Sequence, residues 1–246
     1  MKTDSAPVFL TAEWRHLAML NYEVDPKTLA SCVPNGTELD LWNGKNFVSV
    51  VGFLFQKTRV LGIPIPFHHN FEEVNLRFYV RRKAPDGWRR GVVFIKELVP
   101  RRAIAWTART FYNEPYTALP MAHQIELADS NEIKSATYSW RFKGNENFLR
   151  LVVHGNAQPL RVGSEAEFIT EHYWGYTGQR DGSTLEYQVE HPRWRVREAK
   201  TAELHCDIAG LYGEQFCAAL SSPPASAFLA EGSSVTVRKG VRLISK

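Results

Sequence analysis

The segment that decides the fold is Phe71-Glu72-Glu73-Val74-Asn75-Leu76-Arg77-Phe78-Tyr79-Val80. Apolar side chains recur at every second position, which predicts a β-strand whose apolar face is formed by Val74, Leu76, Phe78 and Val80. The opposite face carries a carboxylate, an amide, a guanidinium and a phenol, from Glu73, Asn75, Arg77 and Tyr79. If that face lines a barrel, it is a binding site for a small polar molecule. If it faces solvent, or if Glu73 pairs with Arg77, it is an ordinary strand surface.

Strand patterns joined by tight turns dominate the rest of the chain. Asn43-Gly44 predicts a hairpin between residues 37–42 and 47–53, and Asp86-Gly87 joins the opening segment to a strand at residues 91–98. Helical patterns are few, at residues 25–33, 101–112, 164–170 and 209–220. The prediction is a mainly β protein with few helices, in one domain over residues 1–246. Residues 1–7 read as a loose N-terminal tail.

Size and composition exclude several classes of protein. The 246 residues carry a net charge of +4 and contain only three cysteines, so a disulfide framework is not expected. The N-terminus lacks the apolar core of a signal peptide, and no apolar run approaches the roughly 20 residues of a membrane span. We therefore expect a cytoplasmic protein without a membrane partner. The basic residues around 81–90 read as a hairpin tip, and without a basic helix or an RNA-binding aromatic motif no nucleic-acid partner is expected.

Two groups of arginines beyond the opening segment are candidates for anion binding. Arg101 and Arg102 fall in the first turn of the helix predicted at residues 101–112, where exposed N–H groups favour an anion. Alternatively, Glu97 and solvent neutralise both arginines on the surface. Farther along the same helix, Arg109 either reaches the cavity of Arg77 or bonds the carbonyl groups at the helix end.

Signatures of covalent or metal chemistry are sparse. The chain contains no nucleophile elbow, no phosphate-binding loop and no dinucleotide glycine fingerprint. None of the eight histidines falls in a metal-ligand spacing, so neither a metal nor a cofactor is expected. Lys96 lies in an otherwise apolar strand, where a lowered amine pKa makes it a candidate Schiff-base nucleophile. The alternative is that its ammonium group reaches water at a sheet edge.

Taken in order and spacing, several motifs resemble the YqjF-like family of uncharacterised proteins, within the acetoacetate decarboxylase-like superfamily. They run over nearly the whole chain and include Trp14, Asp25-Pro26, Glu73-x-Asn75-x-Arg77-x-Tyr79-Val80, Ala108-Arg109, Pro115-Tyr116, Phe168-x-x-Glu171-His172-Tyr173 and His191-x-x-Trp194. One departure is His172, where an arginine is more usual in the family. The resemblance implies a large, strongly curved antiparallel sheet that closes into a cone or barrel around a central cavity.

The resemblance also implies active-site positions, but the match is partial. Arg15 falls where the decarboxylases have an active-site arginine. Their adjacent lysine pair is replaced here by Pro100-Arg101-Arg102, or by Tyr112-Asn113 under another alignment. Arginine stays protonated and cannot form an imine, so Schiff-base decarboxylation is disfavoured.

Three hypotheses about function follow. The first is a central cavity that binds a small anionic or oxygenated molecule through Arg15, Glu73, Asn75, Arg77, Tyr79, Arg109, Tyr112 and Tyr116. The second is a lyase, hydrolase or isomerase acting on a keto or enol compound, in which Glu73 is the base, Arg77 polarises an oxygen and Lys96 is a further candidate. The third is a protein-interaction module, for which we expect a filled interior. A homo-oligomer is compatible with all three.

Overall fold

The computed structural model describes residues 6–64, 68–101 and 113–243. In these residues long runs of β-branched and aromatic side chains form strands, as their preference for pleated surfaces predicts. The strands are β1 (Val8–Val24), β2 (Glu38–Leu39), β3 (Asn46–Val60), β4 (Ile63–Pro64), β5 (Phe71–Ala84), β6 (Gly87–Val99), β7 (Tyr116–Ala118), β8 (Met121–Leu127), β9 (Ile133–Phe142), β10 (Asn145–Val153), β11 (Gln158–Pro159), β12 (Trp174–Gly178), β13 (Thr184–Glu190), β14 (Arg195–His205), β15 (Ser226–Arg238) and β16 (Val241–Leu243).

Seven of these strands close into a ring. Their order is β13-β12-β6-β5-β3-β1-β15, and β15 pairs with β13 to complete the circle. Neighbouring strands are antiparallel except for β6 and β12, which are parallel. The closing contact pairs Val189 with Val237 and Glu190 with Thr236, and an ion pair of 2.6 Å between Glu190 and Arg238 reinforces it. A closed ring leaves an interior that side chains or a ligand must fill.

The sheet continues beyond the ring through β14, β10, β9 and β8, and this part covers the outside of β3 and β5. The apolar face predicted from the opening segment packs here, on the aromatic and aliphatic side chains of Tyr138, Trp140, Leu149 and Leu151. Both faces of β3 and β5 are therefore buried, one inside the ring and one outside it. Double burial explains why residues 47–55 are almost continuously apolar.

The described helices are short: Pro26–Leu29, Glu165–Thr170, Ile208–Tyr212 and Cys217–Leu220, with 3₁₀ turns at Ala30–Cys32 and Glu214–Phe216. The side chains of Asp25 and Ser164 cap the first two. The pattern at residues 209–220 is divided at Gly213, whose φ of 105° ends one helix before the next begins. The helix predicted at residues 101–112 lies outside the described residues except for Arg101. No helix in the described ranges is long and apolar enough to cross a membrane.

The predicted fold class, a mainly β protein built on a curved sheet, is confirmed. The Asp86-Gly87 hairpin between β5 and β6 is also present. The hairpin predicted around Asn43-Gly44 is only partly present. The turn exists, with positive φ at both residues, but it joins only the bridge between Trp42 and Lys45. β2 pairs instead with β5, because Leu39 packs against the main core there.

Candidate functional site

A cavity of about 330 Å³ opens inside the ring. Its wall is mostly aromatic and aliphatic, with Trp14, Phe53, Phe55, Phe71, Phe94 and Trp194 among the lining residues. Polar groups converge on a limited part of this wall. A mostly apolar pocket with a few convergent polar groups is the usual form of a small-molecule site. A filled interior was expected if the protein is an interaction module, and the presence of a cavity does not meet that expectation.

The polar face of β5 points into the ring. Glu73, Asn75 and Arg77 line the cavity and are 2%, 1% and 9% exposed. Glu73 and Arg77 do not form an ion pair. Asn75 Nδ2 donates to Glu73 Oε1 at 3.0 Å, and the Tyr116 hydroxyl donates to Glu73 Oε2 at 3.2 Å. The polar face of β5 is therefore neither a solvent-exposed strand surface nor one on which Glu73 pairs with Arg77.

Two further glutamates join Glu73 in the cavity wall. Glu97 lies on β6 directly opposite Asn75 of β5. Glu114 precedes β7, which runs parallel to β6 and brings the backbone of Pro115 to the Glu97 amide at 3.2 Å. Both carboxyl groups line the cavity, and their residues are 2% and 6% exposed. Three carboxyl groups are thus buried on one side of the cavity, and we call Glu73, Glu97 and Glu114 the carboxyl cluster.

Strands β12 and β13 contribute further hydrogen-bond donors to the carboxyl cluster. The Tyr187 hydroxyl donates to Glu114 Oε1 at 3.0 Å, and Thr177 Oγ1 donates to the same oxygen. Tyr187 can lie there because Gly175, opposite it on β12, has no side chain. A Cβ at Gly175 would lie only 2.1 Å from Tyr187 Cζ.

Burial controls the protonation of the carboxyl cluster. Burial raises the pKa of both Glu73 and Glu114 to about 7, although the hydrogen bonds that Asn75 and Thr177 donate to them lower it. Burial, followed by the charges of Glu114 and Glu73, raises the pKa of Glu97 well above its ordinary value. The raised pKa favours the protonated form of Glu97, and a hydrogen bond links its side chain to that of Glu114. The cluster can give up or accept protons near pH 7.

Arg77 presents a buried positive charge to the cavity. Its Nη2 donates to the Ile169 carbonyl at a long 3.4 Å, and its Nε has no hydrogen-bond partner within the described ranges. No carboxylate in those ranges forms an ion pair with it, and residues 102–112 contain no acidic side chain. A buried guanidinium without an anion beside it is costly.

Tyr79 supports the wall and is absent from the described lining. Its hydroxyl is 2.6 Å from Ser49 Oγ, which donates to Asn21 Oδ1 at 2.6 Å. Its ring lies against the imidazole of His172, with 4.7 Å between centroids. His172 Nε2 is in turn 3.3 Å from Asp40. Burial lowers the pKa of His172 to about 4, so the imidazole is neutral at physiological pH.

Two predicted site residues lie elsewhere. Arg15 pairs with Glu13 at 2.7 Å and is not among the described lining residues. Successive side chains of a strand point to opposite faces. The preceding residue, Trp14, points into the ring, so Arg15 points away from it. Lys96 also lies off the described lining. Strand β6 has a bulge, because Ile95 is an extra residue between Phe94, which pairs with Arg77, and Lys96, which pairs with Leu76. The bulge reverses the direction of the side chains that follow it, so Glu97 lies in the cavity instead of Lys96.

The other predicted positions have mixed outcomes. Tyr116 lines the cavity and bonds Glu73. Arg101 is exposed, and Glu97, its expected neutralising partner, is buried in the carboxyl cluster instead. Arg102, Arg109 and Tyr112 lie outside the described residues. Sequence reasoning missed the roles of Glu97, Glu114 and Tyr187, and the available signal was a glutamate inside an otherwise apolar strand.

The basic hairpin at residues 81–90 is electrostatically paired. Arg81 bonds Glu38, Arg82 and Arg89 share the buried carboxylate of Glu186, and Arg90 bonds Asp40. The predicted hairpin tip thus carries arginines held by carboxylates. Within the described ranges, no group of three or more histidine, cysteine, aspartate or glutamate side chains has a geometry that could hold a metal ion.

Solved structures with the same fold are acetoacetate decarboxylases and related enzymes. The chain superposes on acetoacetate decarboxylase from Legionella pneumophila with a TM-score of 0.66 and 14% identity, over 97% of this chain and 88% of that one. An acetoacetate decarboxylase-like enzyme from Sphingomonas wittichii RW1 gives 0.68 and 12%, over 97% and 94%. The enduracididine biosynthesis enzyme MppR, complexed with pyruvate, gives 0.68 and 11%, over 99% and 93%. These likenesses confirm the expected fold.

Sequence relatives agree with the predicted resemblance. The uncharacterised protein YqjF of Bacillus subtilis (strain 168) is 27% identical over 194 residues, which are 76% of this chain and 74% of YqjF. The model of the DUF2071 family, described as an uncharacterised conserved protein, matches residues 11–234. Because that match covers most of the sequence, the chain belongs to the DUF2071 family.

Proposed function

We propose that this protein binds a small anionic or oxygenated molecule inside the ring, with Arg77 as the anchor for its negative charge. The observation that carries the proposal is the buried guanidinium of Arg77, which lines the cavity without an ion-pair partner among the described residues. A carboxylate can accept from the N–H groups of this guanidinium in a charge-assisted contact. The apolar wall accommodates the rest of the molecule.

Small 2-oxo acids are the first compounds to test, because MppR, which shares the fold, has been solved with pyruvate. The panel also includes hydroxy acids, lactones, phosphates and apolar carboxylates. Binding to the native state raises the melting temperature in a concentration-dependent way. Affinity is then measured by calorimetry for each compound that raises it.

Arg77→Met removes the charge and keeps much of the side-chain volume. We expect it to weaken binding roughly 10- to 100-fold, because hydrogen bonds to charged groups contribute about 1.5–3 kcal/mol. Arg15→Met is the matched control, since Arg15 pairs with Glu13 away from the described lining. Equal affinities in wild type and Arg77→Met, or silence across the panel, would contradict the proposal.

A second candidate is an enzyme on the same site, and the neutral pKa of Glu73 favours it. A carboxyl group with a pKa of about 7, bonded to Asn75 and Tyr116, can take a proton from carbon at physiological pH. No lysine is among the described lining residues, and residues 102–112 contain none in the sequence. The chemistry proposed is therefore proton transfer to and from a keto or enol compound, without an imine.

Exchange of carbon-bound hydrogen in D₂O tests this candidate. Glu73 would remove a proton next to the carbonyl of a 2-oxo acid, leaving an enolate that Arg77 stabilises, and a deuteron would return to the same carbon. We expect NMR to show exchange with wild type and at least about 100-fold slower exchange with Glu73→Gln. Glu146→Gln, at an exposed position, is the control. Equal rates in wild type and Glu73→Gln would exclude Glu73 as the base.

A further inference from the structure

The cavity extends along the ring from a polar end to an apolar end. At the polar end, Arg77 Nη2 donates to the carbonyl of Ile169 in the short helix Glu165–Thr170. Thr170, the last residue of that helix, and His172 line the cavity there, and both are buried. The helix and the residues that follow it therefore bound the cavity at the Arg77 end.

The other end of the cavity is apolar and reaches the surface. Leu10, Val60 and Val237 line it from three neighbouring strands, and all three are partly exposed. They lie side by side, because Leu10 pairs with both Val60 and Val237. Next to them, Leu61 and Ile63 are 68% and 66% exposed. Exposed apolar side chains grouped beside a cavity are typical of a site that admits an apolar molecule.

The distance between the two ends determines the shape of the cavity. Ser49, which pairs with Arg77, and Val60 are eleven positions apart on β3, and that length of strand is about 30 Å. A cavity of about 330 Å³ that touches both ends is therefore long and narrow. Such a shape fits an extended chain better than a compact molecule.

Between the ends, one side of the wall is formed by aromatic rings. Trp14 of β1, Phe53 and Phe55 of β3 and Phe71 of β5 pack on one another there, with 4.6–5.8 Å between ring centroids. On the opposite side, the side chains of the carboxyl cluster bond to one another and to the side chains around them. Beyond its anionic group, a bound molecule thus meets mainly hydrocarbon.

This inference rests on the proposed function and narrows its ligand. We propose that the ligand is a carboxylate with an unbranched apolar chain, bound with its carboxylate on Arg77 and with the end of its chain toward Leu10, Val60 and Val237. A methylene group has nearly the volume of a water molecule, about 30 Å³, so a cavity of about 330 Å³ holds a chain of about ten carbon atoms. A compound as short as pyruvate would leave most of the apolar wall without a partner.

A series of straight-chain carboxylates tests the class of ligand. The probes are the even-numbered acids from acetate to tetradecanoate, below the concentrations at which they form micelles, and 1-octanol is the uncharged control. Calorimetry at neutral pH gives the affinities. We expect about a two- to fourfold gain for each added methylene up to about ten carbon atoms and little beyond, because each buried methylene removes apolar surface from water. Octanoate should bind at least about tenfold more tightly than 1-octanol, since only the carboxylate engages Arg77.

Val237→Phe tests the direction of the chain. The larger side chain fills the outer end of the cavity, so the preferred chain should become about two carbon atoms shorter, while the affinity for butanoate should change less than about twofold. Val241→Phe is the matched control, since Val241 is 55% exposed and is not among the described lining residues. Melting curves show that both variants are folded.

The outcomes separate this inference from the proposed function. If affinity does not depend on chain length but falls in Arg77→Met, the chain inference fails and anion binding at Arg77 stands. If Val237→Phe leaves the preferred length unchanged, or weakens short and long chains equally, the chain does not extend toward Val237 and the inference is overturned. If octanoate and 1-octanol bind equally in wild type and in Arg77→Met, or if no carboxylate binds, both proposals fail.

Discussion

At the scale of single residues, Tyr79 connects the inner wall of the ring to its neighbouring strands. Its hydroxyl reaches Ser49 on β3, and Ser49 bonds Asn21 on β1, so one short network crosses three strands. Both Tyr79 and Ser49 are almost completely buried. We expect Tyr79→Phe to lower the free energy of unfolding by about 1–2 kcal/mol, because a buried hydrogen bond is lost. Affinity for carboxylates should change less than about twofold.

Urea unfolding and calorimetry measure the two quantities, and Ser49→Ala completes a double-mutant cycle. Since the two side chains share one hydrogen bond, the double variant should lose less stability than the sum of the single variants. Strict additivity, or a loss of carboxylate affinity like that of Arg77→Met, would show instead that Tyr79 acts on the ligand.

At the scale of elements, β6 shows where sequence reasoning succeeds and where it stops. Strict alternation on β5 correctly predicts that Glu73, Asn75 and Arg77 share a face. On β6 the same rule, continued from Phe94, selects Lys96, but the extra residue Ile95 shifts the face to Glu97. A bulge depends on the pairing of two strands, so a single-strand pattern does not reveal it.

β12 carries the next prediction, because Gly175 leaves space for Tyr187. Gly175→Ala would place a Cβ about 2.1 Å from the Tyr187 ring, so the ring must move away from Glu114. We expect a loss of about 1–3 kcal/mol in stability, the usual cost of overpacking, and weaker ligand binding. Gly178→Ala, at the end of the same strand, is the control, since no atom lies within 4 Å of its added Cβ. Similar melting temperatures for both variants would contradict this account of Gly175.

At the scale of the whole molecule, the ring closes only through pairings far apart in sequence. The contacts of β15 with β1 and β13 set the cavity, and Glu114 reaches it from a segment between β6 and β7. A resemblance in motif order predicted a curved sheet around a central cavity. It did not indicate the carboxyl cluster, because the three glutamates are separated in sequence and the pairing of β6 with β5 and β7 brings them to one wall.

The buried titratable groups make stability depend on pH in two opposing ways. His172 has a folded-state pKa of about 4 against an ordinary 6.5, so its contribution to the stability of the fold is lost as pH falls from 6.5 to about 4. Glu73 and Glu114 have folded-state pKa values of about 7 against 4.5, and that of Glu97 is also raised. The folded state then holds more protons than the unfolded state, so stability decreases as pH rises from about 4.5 to 7.

Glu97→Gln isolates the carboxyl contribution. The amide that this substitution introduces cannot ionise, and it can still donate to Glu114 as the protonated acid does. The difference in melting temperature, variant minus wild type, should be small at pH 5 and should increase toward pH 8 by about 2–4 °C for each kcal/mol recovered. Glu146→Gln should show a constant difference, because that side chain is exposed. A difference for Glu97→Gln that stays constant or decreases with pH would mean that the cluster is not held protonated by burial.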